Sequence, residues 1–391
     1  MGLNDQHGVK PVSSLNAVAS YDVADFDVPS GREEEWRFTP LRRLRGLHDG
    51  SAVADGKIIV VVDAAPEITV ETVSRGDARV GSGYTPTDRV SAQAYSAFTE
   101  ATVITVPREA VASAPTIVRL RGESVEHAAY GHITVIAEPF SQATIVLDHS
   151  GSATYADNVE FIVGDQARLH VISVQDWASD AVHLSHQHAH LGKDATFTNF
   201  NVTLGGNVVR LRPSVSYHGQ GGDAELYGVY FADAGQHLEH RLLADHSMPN
   251  CRSRVDYRGA LQGDDAHAVW IGDVVIRAEA EGTDTYELNR NLVLTDGTRV
   301  DSVPNLEILT GEVAGAGHAS ASGRLDDQHL FYLQARGIPA DEAKRMVVRG
   351  FLNQLVEKID LPDLRQRVEA AIDAELGIAP LVEDTDDEAA G

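Results

Sequence analysis

The 391-residue chain carries 58 acidic against 32 basic side chains, a formal net charge of −26, which disfavours nucleic acid and anionic membranes as partners. Its single cysteine, Cys251, excludes a disulfide framework and a thiolate zinc site, while 43% hydrophobic residues suffice for a large core and more than one domain. No apolar run approaches the ~18 residues of a membrane span, and the polar N-terminus has no signal-peptide core, so a cytoplasmic protein is expected.

Residues 1–30 show little periodicity and read as a loosely packed lead. The stretch Glu33-Glu34-Glu35-Trp36-Arg37-Phe38-Thr39-Pro40-Leu41 reads as a short helix with acidic residues at its start. Trp36 and Phe38 would anchor a small domain there. A strand follows at Lys57–Val62 and a helical piece at Ala92–Glu100. From Ala101 the pattern changes to short runs rich in Val, Ile and Thr. They lie at Thr102–Val106, Thr116–Leu120, His132–Ala137, Ala143–Leu147, Val159–Val163, Arg168–Val174 and Thr196–Leu204. Turn residues separate them, a spacing shared by sandwiches, barrels and solenoids.

A weak internal repeat bears on that choice. Gly-x-x-Ala recurs at Gly164–Ala167, Gly192–Ala195, Gly221–Ala224 and Gly263–Ala266, with intervals of 28, 29 and 42 residues between the alanines. Each coil of a β-helix needs a tight turn followed by a small residue where the next strand joins the stack. The repeat alone leaves a β-helix and a sandwich both open.

The segment Pro304–Ile338 marks the passage from β-rich to helical sequence. Leu306 and Ile308 alternate like one strand face. The Gly-Ala-Ser run at 314–323 reads as a breaker. Asp326 and Asp327 offer an N-cap and first-turn carboxylates. Helices are expected at Asp326–Arg336, Asp341–Ile359 and Asp363–Leu376, with Gly337 and Gly377 as left-handed stops. The acidic tail Glu383–Gly391 reads as disordered.

The residues from Ser302 to Ile338 follow the pattern S-x-P-x-LEI … V … H-x-x-x-x-G-x-L-D … FYL-x-x-RGI. This resembles the C-terminal signature of the SufB/SufD family, the scaffold subunits of the SUF iron–sulfur cluster assembly machine. The resemblance extends over roughly residues 33–375. Glu33–Leu41 is similar to the family motif K-x-E-x-W-R-Y/F-T-x-L, and Thr283–Leu292 to T-D-x-x-x-x-N-x-N-L. The length, and the absence of a cysteine before the terminal helices, resemble the SufD branch. The family implies a mainly β protein with a right-handed parallel β-helix core. On this reading residues 1–101 form a mixed N-terminal region, 102–323 the β-helix, 324–377 a helical domain and 378–391 a disordered tail.

The same resemblance assigns roles. His318 corresponds to a family histidine at the interface of SufB and SufD, a candidate ligand of the nascent cluster; read from the sequence alone it is more readily a histidine hydrogen-bonded in a turn. Imidazole is a competent iron ligand. Some relatives carry a cysteine where Ala316 stands, so a thiolate from this segment is ruled out. A SufB-like subunit and a SufC-like ATPase are the implied partners. Phe331, Tyr332 and Arg336 form the expected ATPase dock, since aromatic and guanidinium groups make interface anchors. A transient cluster is expected at the subunit interface and none stably on the isolated chain, which lacks the usual thiolates.

Other polar residues carry weaker readings. Cys251 is a thiol that could handle sulfur, or a small buried residue of a coil. His186, His188 and His190 would share one strand face beside His183. Steps of two place them about 6–7 Å apart, too far for one metal to take all three, so a solvated or interface face is expected. His237, His240 and His246 are spaced too loosely to define a site. Asp284, Asn289 and Asn291 read as stacked polar residues of a coil turn. No phosphate-binding Gly-Lys-Ser/Thr motif and no G-x-S-x-G elbow occurs. A non-catalytic scaffold therefore stands first, against a β-helical carbohydrate-active enzyme or a histidine-rich metal-storage protein.

Overall fold

The structure, a computed structural model, describes residues 18–377 apart from position 326. Residues 1–17 of the lead, the Asp326 cap and the tail Glu383–Gly391 lie outside the described residues.

Residues 33–40 form turns and not the expected helix. Glu33 folds its carboxylate back to accept from the backbone N–H groups of Ser30 and Gly31 at 3.0 and 2.9 Å, a local bond that competes with helix formation. Trp36 still anchors the region. It is buried under Arg210, whose guanidinium lies 4.0 Å from the ring centroid. Thr39 donates to Glu239 at 2.8 Å beside it.

Strands β1 (Ile58–Asp63) and β2 (Thr69–Ser74) precede helix α1 (Arg89–Ala97) and strand β3 (Glu100–Val106). Helix α1 starts earlier than its residues suggested because Asp88 and Ser91 form a reciprocal capping box. Next come two long bent strands, β4 (Thr116–Ala137) and β5 (Gln142–Val163), each fusing two of the expected runs. β5 bends at Gly151, with φ +80°, where a Cβ would meet the Gly122 carbonyl oxygen at 2.2 Å, so only glycine fits.

Eleven shorter strands follow: β6 (Arg168–Trp177), β7 (Val182–Leu191), β8 (Thr196–Thr203), β9 (Val208–Tyr217), β10 (Asp223–Ala232), β11 (His237–His246), β12 (Arg252–Leu261), β13 (His267–Ile276), β14 (Thr283–Val293), β15 (Arg299–Ile308) and β16 (Val313–Arg324). All pair in parallel. Even-numbered strands stack from the first half of β5 in one ladder, and odd-numbered strands from its second half in the other. The chain alternates between the ladders, which is the expected parallel β-helix.

Alternation sorts the side chains of each strand into two cores. Inward residues such as Leu147, Phe161, Val171, Leu211, Tyr230 and Trp270 fill the solenoid. Outward residues of the odd ladder, Ala156, Val182, Leu184 and Val208, pack on Trp36, Leu44, Leu47 and Val90 of the N-terminal region. Outward residues of the even ladder, among them Ile172, Phe200, Val202 and Phe231, pack beneath the C-terminal helices. Those helices are α2 (Asp327–Ala335), α3 (Ala340–Val356) and α4 (Pro362–Glu375), close to their expected positions. Gly337 and Gly377, at φ +89° and +71°, supply the left-handed stops.

The uneven repeat now has a cause. Gly164–Ala167 and Gly192–Ala195 occupy the same corner on successive coils, ahead of β6 and β8, with Arg168 paired to Thr196. In that register Ala195 aligns with Gly222, so Gly221–Ala224 is out of phase by two residues. Gly263–Ala266 sits at the opposite corner, ahead of β13. What the corner requires is close approach: a Cβ on Gly192 would lie 2.6 Å from Asp165 Oδ1.

The expected breaker at 314–323 is β16. Its Gly, Ala and Ser residues carry no alternating signal, yet the ladder with β14 satisfies their backbone groups in register from Asp284–Gly315 to Val293–Arg324. Asn289 and Asn291, expected in a turn, lie within β14 and face inward.

Candidate functional site

The two ladders end at β15 and β16, and among the described residues no strand pairs with their outer edges. Unpaired strand edges are templates for another chain. These two strands are exposed or half-buried throughout, whereas the inward residues of the preceding coils are sealed. The interior of the final coil is therefore open.

His318 projects into that opening. Parallel pairing in register sets Glu287 beside His318, Asn289 beside Ser320 and Asn291 beside Ser322. In-register residues of parallel strands point the same way, and Glu287, Asn289 and Asn291 are inward and buried. His318 thus stands on an exposed strand facing the coil interior, not in a turn. A ladder of polar bonds lines the rest of the opening. Ser320 donates to Ser302 at 2.7 Å, Ser302 to Asn289 at 2.7 Å, and Asn291 to Ser322 at 3.3 Å.

Glu287 is the residue that motif reading missed. It is buried, and among the described residues neither carboxylate oxygen has a hydrogen-bond partner. Burial, and then the nearby Asp273 carboxylate, push its pKa up to about 8. Asp273 is raised too, by burial, while Asn305 donates to it at 2.7 Å. The signal was available in the phase of β14: Glu287 alternates with Asn289 and Asn291, a charged residue where the strand faces inward.

Phe331 and Tyr332 are 74% and 56% exposed on α2. The Arg336 guanidinium lies over the Tyr332 ring, 4.6 Å from its centroid. The structure groups these three expected docking residues on an outward surface. By contrast, α3 and α4 spend their apolar faces on the solenoid through Val348, Leu352, Leu355, Val368 and Ile372.

Cys251 is buried at the corner that Ala167, Ala195 and Gly222 occupy on earlier coils, in line with a packing role. Burial pushes its thiol pKa up, which disfavours the thiolate. Of the histidine strand, His186, His188 and His190 do share one face, an internal interface. The Tyr84 hydroxyl bonds His186 Nδ1 at 2.6 Å, His188 bonds Ser214 and Ser216 at 2.8 and 3.0 Å, and His190 stacks on His218 at 3.5 Å. His183 points the other way, into the solenoid. His237, His240 and His246 bond separately, to Glu239, Thr203 and Ser253. Asp284 pairs with Arg254.

Fold and end geometry together define a β-solenoid whose polar terminal coil is left uncovered among the described residues. Residues 119–351 match the family model described as SUF system FeS cluster assembly, SufBD core domain. An iron–sulfur cluster assembly SufBD family protein of Mycobacterium bovis is 57% identical over 373 residues, 94% of each chain. The iron–sulfur cluster assembly protein SufD of Escherichia coli is 27% identical over 382 residues, 88% of each chain. A second SufBD family protein of M. bovis is 26% identical over 222 residues, 56% of this chain and 26% of that one. The chain belongs to the SufBD family of iron–sulfur cluster assembly proteins. No helix of the described residues is long and apolar enough to cross a membrane.

Proposed function

We propose that the chain is a non-catalytic, SufD-like scaffold subunit of a SUF complex, acting in the cytoplasm. It pairs with a SufB-like subunit through the open coil at β15 and β16 and docks a SufC-like ATPase through Phe331, Tyr332 and Arg336 on and beside α2. His318 offers its imidazole to the nascent cluster, the cargo of the complex, at the first of these interfaces. The observation that carries the reading is the uncovered final coil, with His318 in register with a buried, unpartnered Glu287. An inward-facing histidine left open at a strand edge suits a ligand completed by a second chain.

The existence of two unlike SufBD proteins in one organism agrees with a heteromeric pairing. The metal-storage alternative is weakened because the histidine strand is occupied by the chain's own Tyr84, Ser214 and Ser216. Co-expression with SufB- and SufC-like proteins tests the proposal. A co-purifying ATPase and an iron–sulfur chromophore on the complex are expected, with no chromophore on the chain purified alone. A chain that captures neither partner, or that is brown with stoichiometric iron and sulfide by itself, would sink it.

A further inference from the structure

Two histidines and an aspartate converge inside the solenoid, far along the chain from His318. At the corner where β5 passes from one ladder to the other, His149 lies at the end of its first half and Asp157 in its second half, and His183 comes from β7. All three are buried, and each offers one ligand atom within 4.8 Å of the other two. We infer that His149, Asp157 and His183 form a binding site for a divalent transition-metal ion of the Fe2+ or Zn2+ class.

The arrangement supports this at two levels. His183 Nε2 lies 3.2 Å from Asp157 Oδ1. Two ligands bound at about 2.1 Å would be separated by roughly 3.0–3.4 Å, depending on geometry. Among the described residues Asp157 Oδ2 and the Ser185 hydroxyl make no hydrogen bond of ordinary geometry, although the Ser185 and Tyr155 hydroxyls stand close enough to act on the carboxylate. A buried carboxylate with a vacant oxygen is the group that a cation would satisfy.

The outer partners suit ligand histidines. His149 Nδ1 lies 3.0 Å from the Val174 carbonyl, and His183 Nδ1 lies 2.8 Å from Gln175 Oε1. With those N–H groups donated outward, each Nε2 presents a lone pair, the usual second contact of a metal-bound imidazole. Trp177 donates to the same Gln175 oxygen at 2.8 Å and also reaches His183 Nδ1 at 3.2 Å, which favours the tautomer with Nε2–H donating to Asp157 when no cation is present. The Gln175 amide nitrogen also reaches His149 Nδ1 at 3.1 Å, which favours the opposite tautomer of that ring when no cation is present. Two imidazoles and one carboxylate is a donor set taken by ferrous iron and by zinc.

The test uses the full chain, tag-free and stripped of metal, titrated with Co2+ as spectroscopic probe, then with Zn2+ and, anaerobically, Fe2+. One equivalent should bind saturably, give a low-coordinate Co2+ spectrum, and raise the melting temperature. Asp157→Asn should abolish it. Gln175→Leu should weaken it by about 10–100-fold, as loss of an outer-sphere partner does, while His318→Ala should leave it unchanged. Competition between Zn2+ and Fe2+ decides which ion the site takes. Absence of saturable binding by the unmodified chain overturns the inference without recourse to any variant. So does a Co2+ signal that survives Asp157→Asn and is lost in His190→Ala, which would place the metal on the half-buried His190–His218 stack.

Discussion

Replacing Glu287 by glutamine should stabilise the protein, and increasingly so as the pH rises. An ordinary glutamate ionises near 4.5, whereas burial and then Asp273 push Glu287 to about 8. Between those values the folded state keeps a proton that the unfolded chain releases. Any stability tied to this proton is fully present below pH 4.5 and is lost as pH rises toward 8. Each tenfold preference is about 1.4 kcal/mol, so the penalty is roughly 3 kcal/mol at pH 7 and roughly 5 kcal/mol above pH 8. Glutamine is nearly isosteric with the protonated acid and avoids that penalty. Melting temperatures of Glu287→Gln and its parent should therefore converge in mild acid and separate steadily toward alkaline pH, with the variant higher. A gap independent of pH, or a variant less stable than the parent in alkali, would refute the reasoning. It would mean that ionised Glu287 has a cationic partner in solution.

Three other changes probe the interfaces. His318→Ala should lower the cluster content of the co-expressed complex while shifting the stability of the isolated chain by no more than about 1 kcal/mol, because the side chain is exposed; normal iron and sulfide content would make it an ordinary surface histidine. Phe331→Ala with Tyr332→Ala should leave the melting temperature intact and weaken ATPase binding about 30-fold or more, the ~2 kcal/mol of an aromatic anchor, as read by titration calorimetry. Deleting residues 326–376 is not an equivalent experiment. It would strip Leu352 and Ile372 from Phe200 and Val202 and is expected to lower the melting temperature as well as docking.

Legibility in the sequence tracked how far each feature depends on neighbours in the chain. The helices α3 and α4 were readable because their apolar faces repeat every three or four residues and a glycine with positive φ ends α4. The strands were readable as short runs rich in Val, Ile and Thr, with the β-helix itself implied by the family resemblance, but not the fusion of those runs into β4 and β5, because a bend at Gly151 looks like a turn until its partner strand is known. β16 was misread because its small residues carry no period; the ladder from β14 alone makes it a strand. The Gly-x-x-Ala repeat mixed two corners and one phase error, which only register could sort. His318 was legible through its motif, and its orientation was not. Glu287 showed only as a charged residue in phase with Asn289 and Asn291, and the His149–Asp157–His183 cluster not at all, for the same reason: inward or outward facing is a property of paired strands, and these residues meet only through pairing.

The end of the solenoid carries two features that the chain by itself leaves incomplete among the described residues. One is a buried carboxyl with neither oxygen bonded among the described residues; the other is a strand edge with an open Ser-Asn interior behind it. The first destabilises the fold and the second invites association, and they share one coil. The inward face of β16 connects them. Among its small residues Ala316 shares that face with His318, whereas Gly315, Gly317 and Ala319 pair with Asp284, Tyr286 and Leu288 and face the other way. A larger residue at 316 would crowd the opening beside the histidine. A partner that covered the opening with apolar side chains would strip water from the exposed His318 imidazole and leave it unpaired, at a cost of several kcal/mol. On the pairing proposed above, the surface that fits is another polar coil end, bringing its own donors to meet His318 across the seam.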